Sequence, residues 1–308
     1  MRVVFMGTPE SAVPTLARCL ADGHEVVAVW TQPDRPAGRG GKLRPSPVKE
    51  FALAHGIAVH QPDRIKTPDA AALFAAHQAD VAVVVAYGRI LPPAFLRAPQ
   101  RGCINVHFSL LPKYRGAAPV NWAIIRGECE TGVTTMLMDE GLDTGPILLQ
   151  RATPIGEEET APELMARLAE MGAELLSETL QRLDQLEPQP QKEAEASFAP
   201  LLKREDGLID WTADATTIER RVRGLQPWPN AFTSFRGQRW IIWRARAEAT
   251  PKAHGLPGEI VEATGDRLVV ACEGTVLRLI EVQPEGRRRM GARDLINGAR
   301  IAVGERVG

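Results

Sequence analysis

Three polar residues in the first half of the sequence carry the side chains that acyl transfer requires. Asn105 and His107 are two residues apart at the end of an apolar run, so in an extended strand both project from one face. An imidazole moves protons near neutral pH, and an amide donates a hydrogen bond to an oxygen that becomes negatively charged. Asp143 follows in the glycine-punctuated segment 139–145, from which it could orient His107.

Each of these residues also has a structural interpretation. An Asn-x-His sequence at a strand end is more often a capping or turn element, and an aspartate between glycines is usually a turn residue. Position in the fold favours the catalytic interpretation. In doubly wound sheets ligands bind beyond the carboxyl ends of the strands, and the polar residues that follow the predicted strand at 103–106 occupy that place, with the segment 139–145 as a second polar loop.

The first half of the sequence alternates between strand and helix signals. The pairs Thr8-Pro9, Ser46-Pro47 and Thr67-Pro68 each predict a side-chain cap followed by the first turn of a helix. The apolar runs predicted as strands are 3–6, 26–30, 81–86 and 103–106. The run 81–86 is apolar on both faces, which is typical of a central parallel strand. We predict an α/β fold: a doubly wound, mostly parallel, Rossmann-like sheet, followed by a helix over about 159–186.

The composition changes near residue 188. The segment 188–205 is rich in proline and charge, which predicts a linker. Beyond it, five short strands punctuated by glycine and a helix near 218–223 predict a small OB-like β-barrel. We therefore predict a catalytic domain at 1–187, a linker at 188–205 and a barrel domain at 206–308.

The balance of charge conceals local differences. Over 308 residues, 37 basic and 38 acidic side chains give a formal net charge of -1, which by itself suggests no polyanionic partner. Residues 1–205 have a net charge of -4 and residues 206–308 of +3. Two basic segments stand out, one at 33–49 and one at Arg287-Arg288-Arg289. Either is a solvated surface segment unless it meets phosphate groups.

The remaining composition places the protein in a reducing compartment. The four cysteines show neither a metal-ligand spacing nor a disulfide framework. The longest apolar run is far shorter than the roughly 20 residues of a membrane helix. We expect a cytoplasmic monomer that binds no metal and no membrane.

Several motifs together resemble the family of 10-formyltetrahydrofolate-dependent formyltransferases. The resemblance rests on Asn105-Val106-His107, on Ser109-Leu110-Leu111-Pro112 and on Asp143. Further matching segments are 5–9, 33–40, 84–92, 115–119, 138–145 and 227–229, so it spans essentially the whole chain. Within the family the chain is similar to the members that act on an aminoacylated tRNA. The resemblance implies formyl transfer from 10-formyltetrahydrofolate, as co-substrate, to the α-amino group of methionyl-initiator tRNA.

The resemblance also implies a role for each segment. Asn105 and protonated His107 would stabilise the oxyanion, and Asp143 would hold His107. The segment Ser109, Leu110, Leu111 and Pro112 would line the folate site, with 90–91 and 139–143 as walls for the pterin. The basic segment 33–49 would contact the acceptor stem. The residues predicted to bind tRNA are Arg35, Arg39, Lys42, Arg44, Arg287, Arg288 and Arg289.

Some features leave alternatives open. Phe108 occupies a position where the family pattern has a small residue or proline, and its ring either narrows the pocket or faces the core. Strand alternation favours the core. Trp240 and Trp243 are either core residues or part of a basic surface, and Trp228 is predicted to pack in a turn. The rival functions are another formyltransferase, acting on glycinamide ribonucleotide or on nucleotide sugars, a folate hydrolase with the same site, and a non-catalytic α/β binding module with an OB-fold.

Overall fold

The computed structural model describes residues 1–37, 42–248 and 255–308. The chain divides into two compact units. The first comprises Met1–Pro119, Glu130–Pro154 and Met165–Pro200. The second comprises Val120–Cys129, Ile155–Leu164 and Leu201–Gly308. The predicted domain boundaries at 187 and 206 remain a prediction.

The strands of the first unit are built largely from runs of valine and other β-branched or apolar residues, which favour extended structure. They are β1 (Arg2–Gly7), β2 (Glu25–Trp30), β3 (Arg35–Ala37), β4 (Lys42–Arg44), β5 (Val59–His60), β6 (Val81–Val85), β7 (Cys103–His107), β8 (Arg115–Gly116), β9 (Glu130–Leu137), β10 (Ile147–Pro154) and β11 (Phe198–Ala199). The helices up to residue 200 are α1 (Val13–Ala21), α2 (Pro47–Ala54), α3 (Pro68–Ala75), α4 (Pro93–Arg97), α5 (Pro119–Ile125) and α6 (Ala161–Arg182).

Seven of these strands form one sheet in the order β10-β9-β7-β6-β1-β2-β5. The strands from β7 to β5 are parallel, whereas β9 pairs antiparallel with β7 and β10 antiparallel with β9. All five residues of β6 are buried, as predicted for a central strand. The predicted doubly wound, mostly parallel sheet is confirmed, and its antiparallel edge extends it beside the strand that carries Asn105 and His107.

Two of the three predicted helix caps are confirmed. The Ser46 hydroxyl accepts a hydrogen bond from the Lys49 amide at 3.1 Å, and the Thr67 hydroxyl accepts one from the Ala70 amide at 3.2 Å. The predicted cap at Thr8 is wrong. A 3-10 turn over Glu10–Ala12 intervenes before α1, and the Thr8 hydroxyl instead donates to the Tyr87 carbonyl at 3.3 Å.

The second unit contains an antiparallel sheet. Its strands are β12 (Ala231–Phe235), β13 (Gln238–Glu248), β14 (Ile260–Thr264), β15 (Arg267–Ala271), β16 (Val276–Pro284) and β17 (Met290–Gly291), with helices α7 (Ala215–Gly224) and α8 (Ala292–Ala299). The order is β12-β13-β16-β15-β14, and β17 pairs with β16. Val307 bridges to Phe235 and Arg306 bridges to Glu259, so the last residues join β12 to the start of β14. The five predicted strands are confirmed, and they pair in an antiparallel sheet.

The segment predicted as a linker pairs with the first unit through its backbone. Gln189 and Ile147 exchange two hydrogen bonds of 2.8 Å, and β11 pairs in parallel with β8. At Gly116 (φ 122°) a Cβ atom would lie 2.7 Å from the Ala199 carbonyl oxygen, so only glycine allows this approach. Residues 188–200 are therefore fixed beside the loops that follow β7 and β9. None of the helices in the described ranges is long and apolar enough to cross a membrane.

Candidate active site

Asn105 and His107 lie at the carboxyl end of β7, as predicted. Their exposed fractions are 8% and 6%, and Asn105 pairs with Val84 of β6 on one side and Met136 of β9 on the other. Within the described residues no group hydrogen-bonds to the Asn105 side chain. Its amide is therefore available to a bound carbonyl oxygen, which a turn or capping residue would not offer.

The His107 ring lies between two oxygen atoms. Its Nε2 is 2.9 Å from the carbonyl oxygen of Tyr114, and its Nδ1 is 3.7 Å from Asp143 Oδ2. A carbonyl oxygen can only accept, so this hydrogen bond requires a proton on Nε2. In the neutral ring Nδ1 then carries the free lone pair. Nδ1 is the nitrogen that can take up a proton, and it faces the Asp143 carboxylate.

Asp143 is held in an unusual backbone conformation. Its φ is 53°, in the left-handed region, and its Oδ2 accepts a hydrogen bond of 2.8 Å from the Gly116 amide. Ala86 and Tyr114 also have positive φ, of 46° and 63°, in the loops after β6 and β7. Such residues occur where surrounding contacts impose the geometry, and they cluster at functional sites. Three loops of this kind follow β6, β7 and β9, three adjacent strands of the sheet.

The segment predicted to line the folate site is largely committed to internal contacts. The Ser109 hydroxyl is fully buried and donates to the Lys113 carbonyl at 2.6 Å, and Leu111 is also buried. Leu110 and Pro112 are partly exposed. Side-chain contact with a ligand is thus open to Leu110 and Pro112, whereas Ser109 and Leu111 hold the segment in place.

Apolar side chains are exposed in two of the predicted walls. Ile90 is 60% exposed and Leu142, beside Asp143, is 52% exposed, which suits a flat aromatic ligand. Leu91 is buried. Phe108 is also buried, and its Cε1 would lie 3.4 Å from a Cβ placed on Gly172 of α6. The predicted core position of Phe108 is confirmed.

The basic segment 33–49 forms a two-stranded ladder at its base. β3 pairs antiparallel with β4, which places Arg35 directly opposite Arg44. Both side chains are exposed. Arg39 lies outside the described residues, and so does the side chain of Lys42.

Asp34 fixes the base of this hairpin. Its carboxylate accepts a hydrogen bond of 2.7 Å from Gln61 Nε2 and pairs with Lys49 Nζ at 2.6 Å. These bonds, first from Gln61 and then from Lys49, lower the pKa of Asp34 below its usual value. The charge of Lys49 is thereby balanced by the Asp34 carboxylate. Arg35 donates a hydrogen bond to Gln32 Oε1 at 2.6 Å.

The second predicted basic segment divides into two parts. The guanidinium of Arg289 lies 3.7 Å from the centre of the Trp243 ring and 3.7 Å from Glu281 Oε2. Arg287 and Arg288 are exposed and form no ion pair within the described residues. Trp240 is a core residue.

Trp228 was predicted to pack in a turn, and that prediction is wrong. Trp228 is 54% exposed. Gln226 and Asn230 hold the turn instead, through side-chain amides that donate to backbone carbonyls.

Sequence reasoning missed the groups that surround the catalytic candidates. Gln191 donates to the backbone carbonyls of Asp143 and Gly145, at 2.8 and 2.7 Å. Arg115 is buried and donates through Nε to Gln191 Oε1 at 3.0 Å. Arg115-Gly116 was visible as a motif, but nothing in a proline-rich segment marks Gln191 as part of a site. In the ranges that the structure covers, no group of three or more His, Cys, Asp or Glu side chains is placed to hold a metal ion.

Comparisons with known proteins give consistent results for both halves of the chain. A family model described as formyl transferase matches residues 1–180, and one described as formyl transferase, C-terminal domain matches residues 201–300. A curated methionyl-tRNA formyltransferase of Trichlorobacter lovleyi is 50% identical over 98% of this chain and 96% of that protein. One of Solibacter usitatus is 51% identical over 100% of this chain and 99% of that protein.

A similar fold occurs in a solved structure of lower identity. The structure of HypX from Aquifex aeolicus in complex with tetrahydrofolic acid has a TM-score of 0.66 and 20% identity. The match covers 99% of this chain and 48% of HypX, so this chain spans about half of that protein's length. At that identity the match supports the fold alone.

Proposed function

This chain belongs to the methionyl-tRNA formyltransferase family, and on that premise we propose that it transfers the formyl group of 10-formyltetrahydrofolate to the α-amino group of methionyl-initiator tRNA. The observation that carries the proposal is the group at the end of β7: a free Asn105 amide next to a His107 ring that faces the Asp143 carboxylate. The exposed Ile90 and Leu142 side chains fit a folate ring system.

Asn105 would act on the formyl oxygen. The folate donor supplies the formyl carbon, which the amine attacks, so a carbon–nitrogen bond forms to methionine and the bond to the folate nitrogen breaks. Negative charge develops on the formyl oxygen as the amine adds. A positioned amide donor at that oxygen stabilises the transition state more than the ground state.

His107 and Asp143 would manage the proton. The attacking amine must lose a proton and the departing folate nitrogen must gain one. Nδ1 of His107 accepts the proton, because Nε2 is already committed to the Tyr114 carbonyl. Asp143, 3.7 Å away, stabilises the imidazolium, which is then the cation beside the charged oxygen. As the tetrahedral intermediate breaks down, the imidazolium returns this proton to the departing folate nitrogen.

Two basic surfaces would bind the tRNA. Arg35 and Arg44 face each other across the β3–β4 ladder, where like charges repel unless anions lie between them. Arg39 and Lys42 belong to the same hairpin, and Arg287 to Arg289 would add contacts from the second unit. We expect binding that weakens steeply with salt, since phosphate contacts release counterions.

A cytoplasmic, monomeric enzyme completes the proposal. All four cysteines are free, and three are buried, which suits a reducing compartment. Light scattering on the purified protein tests the monomer: a mass of 33.6 kDa is expected, and twice that value would contradict it.

Formyl transfer to charged tRNA tests the function. The protein is supplied with 10-formyltetrahydrofolate and methionyl-initiator tRNA, with charged elongator tRNA and methionine methyl ester as controls. We expect formylmethionyl-tRNA to form fastest on the initiator. Equal rates with the methyl ester would favour a small-molecule formyltransferase, and no transfer to any amine would contradict the proposal.

A further inference from the structure

We propose that Gln191 is a positioning residue that holds Asp143 toward His107, and that the segment predicted as a linker is thereby part of the active site. The inference rests on the proposed formyl transfer for its kinetic readout. Its evidence is a closed set of contacts that joins Gln191, Arg115 and the Asp143 loop.

Gln191 acts first on the backbone of the Asp143 loop. A φ of 53° lies in the left-handed region, which aspartate adopts more readily than most residues with a Cβ atom but less readily than glycine, so contacts to this loop stabilise it. The Gln191 amide donates both of its hydrogens to this loop, one to the Asp143 carbonyl at 2.8 Å and one to the Gly145 carbonyl at 2.7 Å. These two bonds fix the peptide group that follows Asp143 and the one that follows Gly145.

The second step is the orientation of Gln191 itself. Its Oε1 accepts from Arg115 Nε at 3.0 Å, and the same guanidinium pairs through Nη1 with Glu193 Oε2 at 2.8 Å. A guanidinium can only donate and a carbonyl can only accept. The Gln191 side-chain oxygen must therefore face Arg115, and the side-chain nitrogen must face the two backbone carbonyls. Arg115 is buried, which keeps this orientation shielded from water.

The Arg115–Gly116 pair also contacts the Asp143 carboxylate directly. Arg115 is followed by Gly116, whose backbone amide donates to Asp143 Oδ2 at 2.8 Å. The same pair of residues therefore acts on Asp143 twice, through Gln191 at the backbone and through Gly116 at the carboxylate. The carboxylate then lies 3.7 Å from His107 Nδ1.

The fourth step is the anchorage of the segment that carries Gln191. Its neighbour Gln189 exchanges two backbone hydrogen bonds with Ile147, and Phe198–Ala199 pairs with Arg115–Gly116. Pairing on both sides leaves Gln191 little freedom to follow a displaced loop. The position also requires an uncharged amide, because a carboxylate there would face two carbonyl oxygens.

Three substitutions test the inference in the full-length protein. Gln191→Met keeps the side-chain length and removes every hydrogen bond. Gln191→Glu keeps the acceptor for Arg115 and loses both donors when ionised. Gln189→Met is the matched control, because within the described ranges the exposed Gln189 side chain bonds to the Glu187 carbonyl and to no other group. For each we would measure kcat and KM for both substrates, the pH profile of kcat, and the ¹⁵N resonances of the His107 ring without substrate.

We expect Gln191→Met to lower kcat about 10- to 100-fold, the effect of a misplacement on the order of 1 Å. KM for methionyl-tRNA should change by less than about 3-fold, because the residues proposed to contact tRNA lie on other segments. The kcat of Gln191→Glu relative to wild type should rise as pH falls, because a protonated carboxyl group donates again. The His107 ring resonances should move in both Gln191 variants but not in Gln189→Met.

A kcat of Gln191→Met within 2-fold of wild type, with unmoved His107 resonances, would overturn the inference. A ratio of the Gln191→Glu kcat to the wild-type kcat that does not change with pH would also overturn it. If Gln191→Met does not fold, this ratio is the deciding measurement. If the wild-type protein transfers no formyl group, the proposed function fails, while the ring resonances still show whether Gln191 acts on His107.

Discussion

The catalytic candidates depend on backbone groups as much as on one another. Tyr114 contributes its carbonyl to His107 Nε2, and Gly116 contributes its amide to the Asp143 carboxylate. The Tyr114 carbonyl thus orients the His107 ring, and the Gly116 amide orients the Asp143 carboxylate. Asn105 differs because it has no partner in the described residues. It is the one member of the three whose hydrogen-bonding capacity is left for a ligand.

Replacing Asn105 tests that distinction. Asn105→Ala should lower kcat about 100- to 1,000-fold, the effect of removing one oxyanion donor. Stability should change little, since no internal hydrogen bond is lost. The measurement is kcat together with the melting temperature, and Asn297→Ala, at an exposed amide of α8, is the control. A variant with normal kcat would exclude Asn105 from the reaction.

Replacing Asp143 separates charge from backbone conformation. Asn tolerates a left-handed φ and still accepts from the Gly116 amide, so Asp143→Asn should keep the free energy of unfolding within about 1 kcal/mol of wild type. It removes the negative charge beside His107 Nδ1. We expect kcat to fall about 100-fold or more, as for other aspartates that orient a catalytic imidazole.

Urea unfolding and steady-state rates measure the two effects. Asp143→Gly is the companion variant: it relieves the positive φ and should be at least as stable while inactive. Loss of activity in proportion to loss of stability would contradict a role for the charge.

At the scale of elements, the β3–β4 hairpin has a charge arrangement that folding alone does not favour. Arg35 lies opposite Arg44 in the antiparallel register, and like charges at such positions are destabilising. The base of the hairpin is held by Asp34, Lys49 and Gln61. An element that is anchored at its base and carries unfavourable charge on its strands is suited to binding an anion.

The arginines of this hairpin should therefore support tRNA binding and should not contribute to stability. Arg35→Ala and Arg44→Ala should each weaken tRNA binding and reduce the slope of log K against log salt by about 1. Arg39→Ala and Lys42→Ala should likewise reduce tRNA use more than folate binding. Filter-binding titrations at several salt concentrations measure this, with the exposed Arg97→Ala as control. Equal loss of folate and tRNA binding would argue against a tRNA-specific role.

Local sequence predicts elements where the determining contacts are local. Ser46 and Thr67 cap their helices because cap and amide are three residues apart, and the valine run of β6 is buried as its composition implies. Thr8 fails because a 3-10 turn after Pro9 delays the helix to Val13. The antiparallel edge formed by β9 and β10 was not predicted, since the strand order of a sheet depends on distant pairing.

At the scale of the whole molecule, partly buried histidines link stability to pH. Burial is the main cause that lowers the pKa of His24, His60 and His77 below the ordinary value of 6.5. His77 also accepts a hydrogen bond from the Trp30 indole at 3.2 Å, which a doubly protonated ring cannot do. The folded state thus binds fewer protons than the unfolded state below about pH 6.5.

The free energy of unfolding should therefore decrease as the pH is lowered from 7 toward 5. When the pKa of a histidine is lower in the folded than in the unfolded state, the free energy of unfolding is unaffected above about pH 6.5. It then decreases as the pH falls from 6.5 toward the pKa of the folded state. His60→Gln should flatten the dependence, whereas His55→Gln, at an exposed position, should not. Urea titrations over this range provide the measurement. An unchanged slope in His60→Gln would contradict this account.

The site could be predicted from sequence only as far as its motifs reach. Residue type and spacing made Asn105, His107 and Asp143 candidates, and the resemblance to the formyltransferases made them the predicted catalytic residues. Gln191 was not recognisable, because a glutamine in a proline-rich segment acquires its role only when β11 pairs with β8. The exposure of Trp228 and the commitment of the Ser109 hydroxyl to Lys113 likewise depend on tertiary contacts.

The central claim is that His107 moves the proton in formyl transfer from 10-formyltetrahydrofolate to methionyl-initiator tRNA. The most direct test is a single-turnover, rapid-quench measurement of formylmethionyl-tRNA with wild-type protein and His107→Ala, both saturated with the two substrates. We predict that the wild-type protein completes the turnover and that His107→Ala is slower by about 100- to 10,000-fold, as for the loss of a general acid–base. Equal rates in the two proteins would contradict the account.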